Sequence, residues 1–345
     1  EAHLTPDDIY WASLLSMAEG IRSGATTFCD MYYELDRVAD AAVEIGMRGL
    51  LTRGLTDIDG SGDEKLEETR MLYASCHGKG NDLIHVAPAP HAIYTCSGDY
   101  IREIISLAKE MDGLLHLHAS ETKKEVEDSV ANYGKTPVDY MMGLGLGEVH
   151  TIAAHCVHMT EEEMDLVDKS KFFPVYNPSS NLKLASGFTP VQTFLEKGFR
   201  IALGTDGDSS NNNQNMLEEM HIASIVNKAV TMNPEAVSAA DVLRMATING
   251  AYALGLEDEI GSIEEGKKAD IACFNLDSPS FTPINNLISA LCYSAQSEDV
   301  KHVMIDGEFV MRDRRFTRVD LEEIRHQVEK KFQALLERKA QKEQA

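Results

Sequence analysis

The sequence predicts an α/β fold: a (β/α)8 TIM-like barrel present here as strands two to eight, then a small C-terminal β-domain segment and a terminal helix. Three observations predict it. Seven short apolar segments alternate with helical stretches, the rhythm of a parallel sheet with helices outside. Ionisable and polar residues stand at the ends of those segments, where barrels of this class place their chemistry. After about Glu257 the texture changes to turn-rich sequence with short strands. At 345 residues the chain is long enough for one large domain and a smaller appendage. The expected organisation is a barrel over 1–256, part of a small β-sandwich over 257–318 and a docking helix over 319–345.

The first element is a helix that opens at Leu4-Thr5-Pro6-Asp7-Asp8. Thr5 suits its cap, Pro6 its first position and the two aspartates its positive end. It runs to Ser23-Gly24, where glycine stops it. Ala25–Tyr32 then reads as a buried strand. Six more follow, at Gly49–Arg53, Ile84–Pro88, Leu114–His118, Thr151–His155, Phe173–Asn177 and Ile201–Asp206. Helical stretches at Asp36–Ile45, Tyr100–Met111, Glu161–Lys169 and Val191–Lys197 separate them. Seven strands are one short of a closed barrel, and the opening helix would follow a strand one that lies ahead of Glu1. An open barrel of seven would expose two edges and its core, so a truncated sequence is the expectation. Beyond Glu257, Ile271–Phe274, Val300–Ile305 and Glu308–Met311 read as strands, with a hairpin turn at Asp306-Gly307. Leu321, Ile324, Val328, Phe332 and Leu335 have helical spacing and give the docking helix.

Composition narrows the class. Lys and Arg number 32 against 56 Asp and Glu, a formal net charge of −24. Nucleic-acid and anionic-membrane surfaces need clustered cations, so neither is an expected partner. A small-molecule substrate is. No run of about 18 apolar residues suggests a membrane span. Cys29, Cys76, Cys96, Cys156, Cys273 and Cys292 are scattered, without a C-x-x-C pair, as in reduced proteins of the cytoplasm.

Residues at the strand ends carry the chemistry. These are Asp30, Arg53, His91, His118 with Glu121, His155, Asn177 and Asp206. Two histidines, a glutamate and an aspartate converging on one mouth suit a divalent metal with an acid–base partner. In His116-Leu117-His118, strand period two points both rings inward, with His118 nearer the mouth and His116 a layer deeper. His116 reads as interior filling with a satisfied hydrogen bond, and His158, in the approach to a helix, as structural. Asp206 alone reads equally well as a turn cap. Imidazole and carboxylate ligands suit zinc, iron or manganese.

Four strings identify a family. Leu115–Glu121, TIAAHCVH (Thr151–His158), NPSSNLKL (Asn177–Leu184) and GTDGDSSNNN (Gly204–Asn213) resemble the methylthioadenosine/S-adenosylhomocysteine deaminases of the amidohydrolase superfamily, and the resemblance runs along the whole chain. It implies hydrolytic deamination of S-adenosylhomocysteine or 5′-methylthioadenosine to the inosine analogues and ammonia, by hydroxide activated on one divalent metal, expected to be zinc. It implies that His118 ligates the metal and that Asp206 both ligates it and accepts a proton from the bound water. Glu121 is the implied acid–base at the purine N1, and His155 orients the hydroxide. Glu1 falls on a ribose-binding position and His91 on a nucleoside contact. Arg53 and Lys65 fall on positions that hold the homocysteine carboxylate. The family has arginine where Lys65 stands, and lysine keeps the charge but not the bidentate geometry. The family's strand-one H-x-H has no counterpart here, since His116 and His118 belong to strand five. Relatives of this kind are often homo-oligomers. The competing readings are another ring hydrolase, such as a guanine deaminase or triazine chlorohydrolase, and a metal-free binding protein. Glu1, Arg53 and Lys65 discriminate the first, because a bare ring needs neither a ribose nor a carboxylate contact.

Overall fold

A computed structural model of the chain describes residues 3–343. The opening helix, Pro6–Arg22, starts in a capping box. The Thr5 hydroxyl accepts the Asp8 N–H, and the Asp8 carboxylate accepts the Thr5 N–H at 2.8 Å. Ser23 and then Gly24, at φ +97°, end it.

Seven parallel strands follow in the expected order. β1 (Thr27–Tyr32), β2 (Arg48–Leu55) and β3 (Ile84–Pro90) form one sheet. β4 (Leu114–Ala119), β5 (His150–His155), β6 (Phe172–Tyr176) and β7 (Ala202–Leu203) form a second. Every strand pairs with its sequence neighbour, as βα repetition requires. The two sheets meet at β3 and β4, where the His118 N–H donates to the His91 carbonyl at 3.1 Å. Among the described residues no strand pairing joins β7 to β1.

The helices lie where the periodicity predicts them, including Leu35–Ile45, Gly98–Glu110 and Val191–Glu196. Their apolar faces bury Val38, Ala42, Ile45, Ile101, Ile104, Ile105 and Phe194 against the outer faces of the strands. Two expected elements are shorter in the fold. The helix at Glu161 stops at Leu166, because the Asp168 carboxylate takes the Ser170 N–H and turns the chain toward β6. The last barrel strand is only Ala202–Leu203, because the backbone after Gly204 leaves the sheet to build a polar loop instead.

The C-terminal segment is antiparallel. β8 (Ile271–Phe274), β9 (Val300–Ile305), β10 (Glu308–Arg312) and β11 (Arg315–Phe316) pair in the order β11-β10-β9-β8. Asp306 and Gly307 both have positive φ, +52° and +81°, the twist a two-residue hairpin requires. One buried ion pair ties this sheet to the parallel one. Arg48 donates through Nε and Nη2 to the two oxygens of Asp270 at 3.0 and 3.2 Å, and both side chains are almost fully buried. Asp270 also accepts the Asp306 N–H at 2.8 Å, so the buried charges are hydrogen-bonded as well as paired. The final helix, Leu321–Glu343, lies on the first one through ion pairs from Lys331 to Asp7 and Arg338 to Asp8. Among the described residues no helix is long and apolar enough to cross a membrane.

Candidate active site

The site grows from the ends of β4 and β5. His116 and His118 share the inward face of β4, as strand period two demands. Below, His116 is buried with Nδ1 3.1 Å from Thr52 Oγ1. The Thr52 hydroxyl already donates to the Asp30 carbonyl at 2.8 Å, so it accepts from His116. Burial, with His118 and His155 nearby, pushes the His116 pKa down to about 3. It is a neutral, satisfied interior histidine, as expected.

His118 stands one layer higher. Its Nδ1 lies 2.9 Å from the His91 carbonyl oxygen. A carbonyl only accepts, so Nδ1 carries the proton and Nε2 presents a bare lone pair. Burial first, then His155 and His91, lower its pKa to about 4, and the ring is neutral near pH 7. A neutral imidazole anchored at one nitrogen and open at the other is the arrangement a metal ligand needs.

His155 stacks on His118, with ring centroids 5.4 Å apart. Its Nδ1 lies 2.8 Å from the amide oxygen of the buried Asn181. That contact places the proton on Nδ1 and leaves Nε2 facing Glu121 Oε2, 3.9 Å away. The Asn181 amide is itself fixed. Its Nδ2 donates to Thr189 Oγ1 at 3.2 Å, and the Thr189 hydroxyl donates to the His155 carbonyl at 2.7 Å. His155 and Cys156 have φ of +73° and +50°, a turn that lifts the chain off the sheet at the mouth.

Glu121 follows Ser120, whose φ is +48°. The Glu121 carboxylate receives the Ser186 hydroxyl at 3.3 Å. The backbone N–H groups of Ser120 and Glu121 donate to the two oxygens of Glu125 at 3.0 and 2.7 Å. Glu125 is buried, which raises its pKa to about 7 against the lowering effect of those N–H donors.

Asp206 reaches the same region from the end of β7, and its charge acts on His118. One of its oxygens accepts the Ser180 hydroxyl at 2.5 Å and the other the Gly207 N–H at 2.6 Å. Its φ is +63°, and the preceding Gly204 has no room for a side chain: a Cβ there would lie 2.5 Å from Asn177 Oδ1. Asp30 sits lower, with its pKa raised to about 6 by burial first and Asp208 second.

His118, His155, Glu121 and His91 therefore meet at one mouth. The His91 ring lies 4.9 Å from that of His118. Its Nδ1 is 3.0 Å from Thr95 Oγ1, which donates to the Ala92 carbonyl, so the His91 Nε2 is bare. The two expected carboxylate-binding cations already hold partners of this chain. Arg53 donates to Glu68 at 2.9 Å, and Lys65 to Asp59 at 3.1 Å and Thr56 Oγ1 at 2.7 Å. His158 donates from Nε2 to the Ser186 carbonyl at 2.8 Å, a contact that ties two loops together. Glu1 lies outside the described residues. Sequence reasoning passed over Ser180, Asn181, Ser186 and Glu125. The first two sit inside NPSSNLKL, and that string was their only signal.

Among the described residues no three His, Cys, Asp or Glu side chains are gathered closely enough to hold a metal ion by themselves. The donor chemistry nonetheless fits a divalent cation as part of its shell. His118 offers a free Nε2 and Asp206 a carboxylate oriented by Ser180, the types that zinc, iron and manganese accept.

Residues 2–310 match the Amidohydrolase family. A 5-methylthioadenosine/S-adenosylhomocysteine deaminase of Thermoanaerobacter pseudethanolicus is 51% identical over 98% of this chain and 79% of its own length. Among solved structures, an adenosine deaminase from Xanthomonas campestris with bound zinc superposes with a TM-score of 0.92 at 34% identity, covering 96% of this chain and 76% of that one. An atrazine chlorohydrolase from Arthrobacter aurescens, in complex with zinc, superposes with a TM-score of 0.89 at 24% identity, covering 96% and 78%, and shares the fold.

Proposed function

The chain belongs to the amidohydrolase family, and from that premise we propose how it deaminates S-adenosylhomocysteine and 5′-methylthioadenosine. It is a hydrolase of ring C–N bonds: water adds at C6 of the adenine, ammonia leaves, and the inosine analogue remains. The observation that carries the reading is the juxtaposition of Glu121 with His155 Nε2 at 3.9 Å, beside the bare Nε2 of His118.

His118 and Asp206 would hold a divalent metal, which we take to be zinc, and that ion would lower the pKa of a water toward about 7. The protein's own groups do the rest. Asp206 accepts a proton from the attacking water. His155, with Nδ1 committed to Asn181, aims Nε2 at that water. Glu121 gives a proton to the ring N1 as the tetrahedral carbon forms, then supports proton delivery to the departing amine. Neutral His116 and His118 carry no proton to give near pH 7, which leaves proton transfer to the carboxylates of Glu121 and Asp206. His91 faces the nucleoside, and Glu1 takes the ribose. All six cysteines are free thiols, which supports a cytoplasmic setting.

Arg53 and Lys65 are read as the subsite for the homocysteine carboxylate. If so, Arg53→Met lowers kcat/KM for S-adenosylhomocysteine about 10-fold, the scale of one charge-assisted contact. The value for 5′-methylthioadenosine, which has no carboxylate, stays within about threefold. Steady-state rates on both nucleosides, with guanine as a bare-ring comparator, measure this. Equal losses on both nucleosides would remove Arg53 from that subsite, and turnover of guanine alone would overturn the substrate class.

A further inference from the structure

Thr122 caps the helix Lys123–Tyr133 by accepting the Glu125 N–H at 3.1 Å. Glu125 is the third helical residue. At that position an acidic side chain ordinarily folds back onto the N–H of the cap itself, closing a capping box. Among the described residues three α-helices do so, with Asp8 returning to Thr5, Glu163 to Thr160 and Asp241 to Ser238. Glu125 does not. Its carboxylate reaches past Thr122 to the two preceding residues and takes the N–H of Ser120 with one oxygen and that of Glu121 with the other. The pair it grips includes the left-handed Ser120. Ser120 and Glu125 are both buried, so water cannot replace these bonds.

We propose that Glu125 is a positioning residue for the deamination: by holding both backbone N–H groups of the Ser120–Glu121 turn, it aims the Glu121 carboxylate at the substrate. The inference rests on the assignment of Glu121 as the acid–base group. A left-handed serine is disfavoured by its Cβ, and the turn needs an external hold. Glu125 supplies that hold from the rigid first turn of a helix, so the direction of Glu121 is set by a helix rather than by its own loop. Ser186, on the opposite loop, touches the end of Glu121 but not its backbone. The His158 N–H donates to the Ser120 carbonyl at 2.9 Å, so the hold on the N–H side of the turn, the side that carries Glu121, belongs to Glu125.

Glu125→Gln tests this on the zinc-loaded enzyme. The amide keeps the size of the side chain, but one end now presents a donor to a backbone N–H. With the turn released, kcat falls by about 100-fold, the loss that a misplacement of about 1 Å produces. KM changes by less than about threefold, because the nucleoside contacts lie elsewhere. The discriminating readout is the double variant. If Glu125 acts only through Glu121, Glu121→Gln/Glu125→Gln is no slower than Glu121→Gln alone. Glu125→Asp, which keeps the charge but is too short to span both N–H groups, carries the same comparison if the glutamine variant does not fold. Wild-type kcat in both Glu125 variants would overturn the proposal. So would a double variant slower than Glu121→Gln by the full factor of Glu125→Gln, since that marks a general structural effect. Wild-type turnover in Glu121→Gln would sink the acid–base assignment and the positioning role with it, a pattern distinct from the other two.

Discussion

Glu121→Gln is expected to lower kcat by about 100- to 10,000-fold, the range a positioned general acid–base group contributes. The amide has the shape of the carboxylate and keeps the contact with Ser186. It has no proton to give to N1 and none to pass to the departing amine. Because Glu121 is not among the metal-holding residues, metal content and melting temperature stay at wild-type values. KM stays within about threefold, since the loss is confined to the transition state. Rates measured at saturating S-adenosylhomocysteine, with metal analysis on the same sample, separate the possibilities. Activity lost together with metal would move Glu121 into the ion's shell. Activity retained would transfer the proton chemistry to another group, of which Asp206 is the nearest in kind.

His118→Ala is expected to act through the metal itself. At the mouth end of β4 its Nε2 is bare, and a hydrogen bond at Nδ1 on the other side of the ring holds the neutral imidazole in place. Losing a hydrogen-bond partner of a ligand already costs about 10- to 100-fold in affinity or activity, so loss of the ligand exceeds about 100-fold. The purified variant then contains substoichiometric metal, and excess zinc restores part of its activity. His116→Gln provides the contrast. His116 lies a layer deeper and spends its Nδ1 on Thr52. That variant keeps its metal and shows a change in stability instead. Equal metal loss in both would mean that the two layers of β4 do not divide the work in this way.

Much of this was legible before the structure, for physical reasons that differ by residue. Parallel strands buried on both faces read as apolar runs, and βα repetition fixes their neighbours, so β1 to β6 fall where alternation placed them. The separation of His116 from His118 follows from strand period alone. β7 was overestimated because Ile201–Asp206 has a strand's composition, while the hydrogen bonds of Thr205 and Asn211 take the backbone out of the sheet after Leu203. The supporting groups were illegible for another reason. Asn181 reaches His155 across 26 positions, Ser180 reaches Asp206 across 26, and Ser186 reaches Glu121 across 65. No local periodicity encodes such contacts. Glu125 is close in sequence to Glu121, but in the chain it looks like an ordinary capping-box acid. Only the direction of its carboxylate reveals the other role. Arg53 and Lys65 present the reverse case. Their charges are conspicuous in the sequence, and the fold pairs each with one acidic residue, Glu68 for Arg53 and Asp59 for Lys65, that no sequence pattern announced.

This chain exchanges the amino group at C6 of an adenosine analogue for oxygen. The most direct test is product identification. The zinc-loaded enzyme is incubated with S-adenosylhomocysteine, and ammonia and the nucleoside product are quantified together. One ammonia is expected for each inosine analogue formed, with the same stoichiometry on 5′-methylthioadenosine. A metal-loaded enzyme that releases no ammonia from either nucleoside, yet hydrolyses guanine or a chlorotriazine, would contradict it.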